Sequence, residues 1–186
     1  MKRLCFVVVL MFLLVGCSSS DKDMNKVISF RQALLEGKGC DFKATVTADY
    51  GENIYSFTMR CTTDADGNMR FEVLQPETIS GITGIVTEED GKLTFDEHAL
   101  LFDTIAEGQL TPVTAPWVFV DTLRGGYIRS CGRDGDTLRI QIDDSYADNL
   151  MQLDIWIDDA IRPIRGEILW DGRRILSIDV VDFSIL

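Results

Sequence analysis

The chain has 186 residues and a strongly acidic balance, with 18 basic and 30 acidic side chains and a formal net charge of −12. An acidic surface is repelled by phosphate backbones and anionic headgroups, which argues against nucleic-acid binding and against membrane adsorption by overall charge. The length suffices for one domain with a substantial core.

The first sixteen residues have the parts of an export signal. Lys2 and Arg3 form a charged start, and residues 4–15 are an apolar run that is too short to span a bilayer but suits a signal-peptide core. The segment Leu-Val-Gly-Cys over 14–17 resembles the lipobox of bacterial lipoproteins. The resemblance implies a signal peptide over 1–16 and covalent lipid on Cys17, with an ordinary signal peptide or an uncleaved anchor as alternatives.

Residues 17–24 are small and polar, and we predict that they form a flexible lipidated tether. Two or more acyl chains hold a protein firmly at a membrane. The expected location is therefore the extracytoplasmic side of a cell membrane, and Ser18 after the cysteine permits outer-membrane sorting in a Gram-negative cell.

Three cysteines remain after the signal and the lipidated residue: Cys40, Cys61 and Cys131. Cys40 and Cys61 lie at similar distances from a predicted hairpin turn over 50–53. A cross-strand disulfide between them and three small buried thiols are both compatible with the sequence, because nothing in it fixes the register.

The domain is predicted over 25–186 and begins with a helix over 25–36, which two glycines end. From Cys40 the apolar period changes to two, which predicts a strand with Phe42, Ala44, Val46 and Ala48 on one face. Further strands are predicted from Tyr55 to Cys61, from Met69 until Pro76, over 82–87 and over 92–95.

Residues 96–110 have no clear period, and their apolar group 99–102 fits a strand or a helical turn. Proline in the first turn predicts a helix from Thr114 to Arg124, with Trp117, Val120 and Leu123 on one face. Alternation then predicts strands over 127–131, 138–142, 153–158, 163–170 and 173–183. The fold class is mainly β within α+β: a curled antiparallel sheet, or incomplete barrel, covered by two helices.

The order of these elements carries a resemblance. The relevant features are an N-terminal helix, a hairpin over 42–62, the segment 69–76, a helix before Gly125 and a closing hairpin from Pro163 into 175–183. In this order they resemble the LolA/LolB-like lipoprotein-carrier superfamily. The resemblance implies a half-barrel whose apolar concavity holds acyl chains or lipids. No ligand-contacting residue transfers from it.

We expect no catalytic role, no cofactor and no metal. His98 is the single histidine and has no nucleophile near it in sequence. The segment 64–67 resembles the start of a calcium loop, but its glycine is misplaced, and a hairpin turn explains it better. The acidic group Asp143, Asp144, Asp148 and Asn149 fits a solvated turn better than a calcium site.

The tryptophans allow a binding function, with Trp156 placed opposite Leu153, Ile155 and Ile157. One hypothesis is a lipid-anchored half-barrel that binds a lipid or acyl chain, with Trp117, Val120 and Leu123 lining its cavity. The other is a structural, interaction or stress-sensing lipoprotein that uses the same scaffold to meet a protein partner, with a packed interior and an exposed apolar patch or edge strand.

Overall fold

A computed structural model of the protein describes residues 18–49, 54–88, 91–95, 98–102, 105–106, 109–143 and 151–186. The helices are α1 Ser18–Glu36 and α2 Ala115–Gly125, and the short 3-10 turns are Glu77–Ile79 and Pro112–Thr114. The strands are β1 Cys40–Asp49, β2 Ile54–Thr63, β3 Met69–Gln75, β4 Thr83–Val86, β5 Gly91–Phe95, β6 His98–Phe102, β7 Ile105–Ala106, β8 Gln109–Leu110, β9 Tyr127–Asp134, β10 Thr137–Asp143, β11 Met151–Ile157, β12 Pro163–Trp170 and β13 Arg173–Ile185.

Eleven of these strands form one antiparallel sheet in the order β6-β5-β4-β3-β2-β1-β13-β12-β11-β10-β9, and β7 pairs with β8 separately. Strands β6 and β9 lie at opposite edges, so the sheet is not closed into a barrel. The first and last strands, β1 and β13, pair at its centre. The predicted mainly-β, open antiparallel sheet with two helices is confirmed.

The alternation of β1 shows how the sequence builds the inner face of the sheet. Phe42, Ala44, Val46 and Ala48 are fully buried, whereas the residues between them are partly or fully exposed. A strand places successive side chains on opposite faces, so the predicted inner face of β1 is confirmed.

Helix α1 packs one stripe on the inner face. Val27, Phe30 and Leu34 are buried at helical spacing, while Ile28 and Leu35 remain about half exposed. The helix already includes residues 18–24, so the prediction of a start at Asn25 with a flexible segment before it is wrong for these residues.

Helix α2 is buried on all its sides except at Asp121 and its last two residues. It contacts the central neighbours β1 and β13 and also β10, which is three strands away from β13, so it lies across the concave side of a curled sheet. Within the described ranges, neither helix is both long and apolar enough to cross a membrane.

The part of the chain without a clear period also forms strands. Residues 98–102 are β6, so the strand alternative for this apolar group is correct, and His98 pairs with Phe95 at its start. The predicted turn over 50–53 and the acidic residues 144, 148 and 149 lie outside the described residues.

Candidate functional site

The inner face of the sheet is a continuous apolar surface. Buried aliphatic, aromatic and sulfur-containing side chains from eight strands form it together with the helices. Those contributed by the strands are Cys40, Phe42, Ala44, Val46, Ala48, Met59, Cys61, Met69, Phe71, Val73, Val86, Leu138, Ile140, Ile142, Met151, Leu153, Ile155, Ile157, Ile168, Leu176, Ile178, Val180 and Phe183.

Helix α2 approaches this surface closely at one point. A Cβ on Gly166 of β12 would lie 2.7 Å from two ring carbons of Phe119, so only a glycine allows the ring to sit there. Trp117, Val120 and Leu123 are buried in the same core. Their predicted apolar face therefore meets packed side chains, and none of them lines the open cavities found along α1 or on the outer face.

Side-chain hydrogen bonds from three residues tie α2 to elements outside the sheet. Trp117 Nε1 donates to the carbonyl of Gly67 at 3.0 Å, and Arg124 Nη2 donates to the carbonyl of Ala65 at 2.8 Å. Arg31 of α1 donates through Nε to the carbonyl of Leu123 at 2.7 Å. The turn between β2 and β3 and helix α1 therefore hold the two ends of α2.

The turn over 64–68 is organised by Asp64. Its Oδ1 accepts the backbone N–H groups of Asp66 and Asn68, and its Oδ2 accepts Asn68 Nδ2, each at 3.0 Å. Desolvation alone would raise the pKa of the Asp64 carboxyl, but the hydrogen bonds from Asn68 and Asp66 outweigh it, and the pKa is lowered. With Gly67 at φ 90°, this is the hairpin turn that the sequence predicts.

The three cysteines are free thiols. Cys61 lies opposite Phe42, and Cys40 pairs instead with Thr63, whose hydroxyl lies 3.2 Å from its sulfur. The alternative of a Cys40–Cys61 disulfide is therefore wrong, because the register displaces the two residues by two positions. Burial raises the pKa of Cys40 to about 11 and raises that of Cys61 further, so both thiols stay protonated and unreactive. Cys131 is half-buried, where a buried thiol was expected.

The outer face carries a cluster around Trp156. The guanidinium carbons of Arg139 and Arg165 lie 5.3 and 5.2 Å from the centre of its ring, and its Nε1 donates to Asp134 Oδ2 at 2.7 Å. Trp156 faces away from Leu153, Ile155 and Ile157, as predicted. Its arginine partners come from β10 and β12, and the sequence does not reveal them because cross-strand neighbours depend on register.

Beside this cluster lies an almost fully buried carboxylate. Asp154 is ion-paired with Arg139, and Gln141 Nε2 donates to its other oxygen at 3.1 Å. Ser130 Oγ donates to Gln141 Oε1 at 2.8 Å, so the network reaches the edge strand β9. An open cavity of about 310 Å³ adjoins it. We name Ser130, Arg139, Gln141, Asp154 and Trp156 the outer cluster.

The described part of the chain offers no metal-binding constellation. There, no three side chains of histidine, cysteine, aspartate or glutamate converge so that they could hold a metal ion. The arrangement of the outer cluster, with its carboxylate already paired, suits recognition or stability, because no nucleophile stands beside a base.

No protein-family model and no curated protein sequence matches the chain. Among solved structures, a LolA superfamily protein from Nitrosomonas europaea matches at 8% identity and a TM-score of 0.43, over 86% of this chain and 93% of that one. An outer membrane lipoprotein-sorting protein domain from Vibrio parahaemolyticus matches at 11% identity and a TM-score of 0.46, over 86% and 91%.

A chain from the structure of the CwlD amidase of Clostridioides difficile in complex with the GerS lipoprotein matches at 13% identity and a TM-score of 0.45. The match covers 93% of this chain and 100% of that one. LolA superfamily and lipoprotein-sorting proteins are thus among the structures to which this chain is similar, as the order of its elements predicts.

Proposed function

We propose that this protein is a non-enzymatic envelope lipoprotein, held by lipid on Cys17 at the extracytoplasmic side of a membrane, that binds a lipid or acyl chain beneath α2. The observation that supports the proposal is the continuous apolar inner face, covered by a helix that is itself apolar on nearly every side. A helix of this kind is stable only while buried, and an acyl chain offers the sheet a similar surface.

The ligand would enter by displacing α2. Moving the helix breaks the hydrogen bonds donated by Trp117, Arg124 and Arg31, which costs about 3 kcal/mol in total at roughly 1 kcal/mol each. Each methylene buried in place of the helix contributes about 0.8 kcal/mol. Burial of about four methylenes offsets the lost hydrogen bonds alone. The rest of the ligand must replace the apolar area that α2 loses when Trp117, Phe119 and Leu123 leave the inner face.

A second candidate function is recognition of a protein partner by the outer face. The observation that favours it is Trp156 between two arginines, since tryptophan and arginine dominate the binding energy of many interfaces. The packed interior agrees with this alternative, which needs no cavity.

Intact mass of the chain, purified from membranes in an uncharged detergent, tests the proposal. Under denaturing conditions we expect the mass of residues 17–186 plus a diacylglycerol on Cys17. Under native conditions we expect one additional lipid bound non-covalently.

Full-length chain with an unmodified Cys17 would contradict the anchor. A lipidated chain that carries no bound lipid and takes up none on addition would contradict binding under α2 and leave protein recognition as the function.

A further inference from the structure

The outer face of β2 to β5 carries a groove whose charge is opposite to that of the whole chain. The groove has a volume of about 420 Å³ and is open to solvent. We name it the basic groove; its lining residues are Arg60, Thr62, Arg70, Phe71, Glu72, Thr83, Gly84, Ile85 and Lys92. Three of these side chains are cationic and one is anionic.

Strand register fixes the order of the charges. Arg70 lies opposite Ile85 of β4, and Ile85 lies opposite Lys92 of β5. Neighbouring strands are about 4.8 Å apart, so the stems of the two cations stand roughly 10 Å apart across the sheet. Ile85 is 40% exposed between them. Across β3, β4 and β5, the groove therefore presents the apolar side chain of Ile85 between the positive charges of Arg70 and Lys92.

These two cations are not neutralised by the part of the chain that the structure describes. Arg70 and Lys92 are exposed, and neither forms an ion pair there. The third cation, Arg60, approaches both carboxylate oxygens of Asp41 at 3.5 Å, at the long end of a hydrogen bond. The groove thus offers unpaired positive charge to a ligand.

The net charge of −12 does not prevent anion binding in the groove. Charges in solution are screened over about 8 Å at physiological ionic strength, so acids elsewhere on the surface contribute little at this site. The groove lining has three cations and one anion, Glu72, and Asp41 stands beside Arg60, so the local balance remains positive through Arg70 and Lys92.

We propose that the basic groove binds the headgroup of an anionic phospholipid, with Arg70 and Lys92 on its phosphate and Ile85 against its apolar part. The choice of a phospholipid over a free phosphate rests on the proposed anchor at Cys17, which keeps the domain at a bilayer because the described helix α1 already includes Ser18. Such a contact adds a second membrane attachment and orients the domain. It is separate from the site beneath α2.

The test uses the full lipidated chain in micelles of an uncharged detergent and titrates it calorimetrically. The probes are dioctanoylphosphatidylglycerol, dioctanoylphosphatidylcholine and inorganic phosphate. The variant is Arg70→Glu with Lys92→Glu. The matched control is Lys38→Glu with Arg173→Glu, which changes the net charge equally at two exposed cations outside the groove.

We expect the groove variant to bind phosphatidylglycerol at least about tenfold more weakly, since each of the two cations near an anionic lipid is worth roughly a fivefold change in affinity. Its affinity for phosphatidylcholine, which reports the site beneath α2, should stay unchanged. The control should bind phosphatidylglycerol within about twofold of the wild type.

Equal weakening in the control, no effect of the groove variant, or no binding of phosphatidylglycerol would overturn the proposal. Inorganic phosphate that binds as tightly as phosphatidylglycerol would overturn the lipid assignment. Phosphatidylcholine measures the site beneath α2 separately, so loss of phosphatidylglycerol binding with phosphatidylcholine binding retained distinguishes failure of the groove from failure of that site.

Discussion

Asp154 is the residue whose environment is least expected from the sequence. Its side chain is 7% exposed, although carboxylates are seldom buried unless paired. Arg139 and Gln141 satisfy its two oxygens, and both come from the neighbouring strand β10. Arg139 also stacks on Trp156, so a single arginine serves the carboxylate and the aromatic ring.

Replacing Arg139 with methionine should therefore leave Asp154 with one hydrogen-bond donor in a desolvated position. We expect the free energy of unfolding to fall by about 2 kcal/mol, the usual cost of an unsatisfied buried polar group. Urea denaturation monitored by circular dichroism measures the change.

The matched control is Arg174→Met, because Arg174 is 53% exposed and its partner Glu167 keeps Arg165. Exposed ion pairs contribute little, so this variant should lose no more than about 0.5 kcal/mol. Equal losses in the two variants would show that the burial of Asp154 is not what makes Arg139 important.

For single residues, the sequence predicts which face of a strand a side chain lies on, but not which side chains it contacts. The period of two correctly sets Trp156 opposite Leu153 and Ile155, since orientation is a local property of a strand. The contacts of Cys61 and Trp156 depend on how strands align, and a slip of one or two residues gives different neighbours. For this reason the sequence leaves the Cys40–Cys61 disulfide open and does not reveal Arg139 as a partner.

Among the elements, α2 depends on a turn that is distant in sequence. Asp64 arranges residues 64–68 so that the carbonyls of Ala65 and Gly67 accept Arg124 and Trp117. The turn therefore acts as a clamp on both the start and the end of the helix. Its carboxylate is more than a local cap, because it fixes the position of two acceptors for α2.

Replacing Asp64 with alanine should loosen this clamp. We expect amide hydrogen exchange across α2 to become faster, while exchange in β1 stays unchanged, because β1 is fixed by β2 and β13. Asp64→Asn keeps a side-chain acceptor and should behave more like the wild type. Unchanged exchange in the alanine variant would show that the turn does not restrain the helix.

The charge of Asp64 also gives this effect a pH dependence. The pKa of its carboxyl is lower in the folded chain than the ordinary value of 3.8, so folding favours the ionised form. The advantage of the wild type over Asp64→Asn is thus full above pH 3.8 and is lost as the pH falls through the lower folded pKa. Thermal unfolding at neutral and at strongly acid pH would reveal this loss.

Both helices are predictable from the sequence, but the extension of α1 through residues 18–24 is not. Proline in the first turn and two glycines at the end locate α2 almost to the residue. The serines within α1 resemble a linker by composition, and the sequence alone does not show that Asp23 forms ion pairs with Lys26 and with Arg133 of β9. A tertiary contact of this kind extends a helix into residues of weak propensity.

For the whole molecule, alternation and turn spacing predict the antiparallel sheet and its two covering helices. The pairing of β1 with β13 joins the two ends of the domain, and no local pattern encodes it. The inner face follows from periodicity, whereas the position of α2 across it follows from the small residue at Gly166 and from the clamp at 64–68. The predicted apolar binding surface on the inner face of the sheet is therefore present, but α2 covers it.

The central claim is that an apolar ligand takes the place of α2 on the inner face of the sheet. Amide hydrogen exchange of the lipidated chain in uncharged detergent, with and without dioctanoylphosphatidylcholine, tests it most directly. We predict faster exchange over residues 115–125 when the lipid is present, with β1 and β13 unchanged. Exchange across α2 that is unchanged or slower with bound lipid would contradict the displacement of the helix.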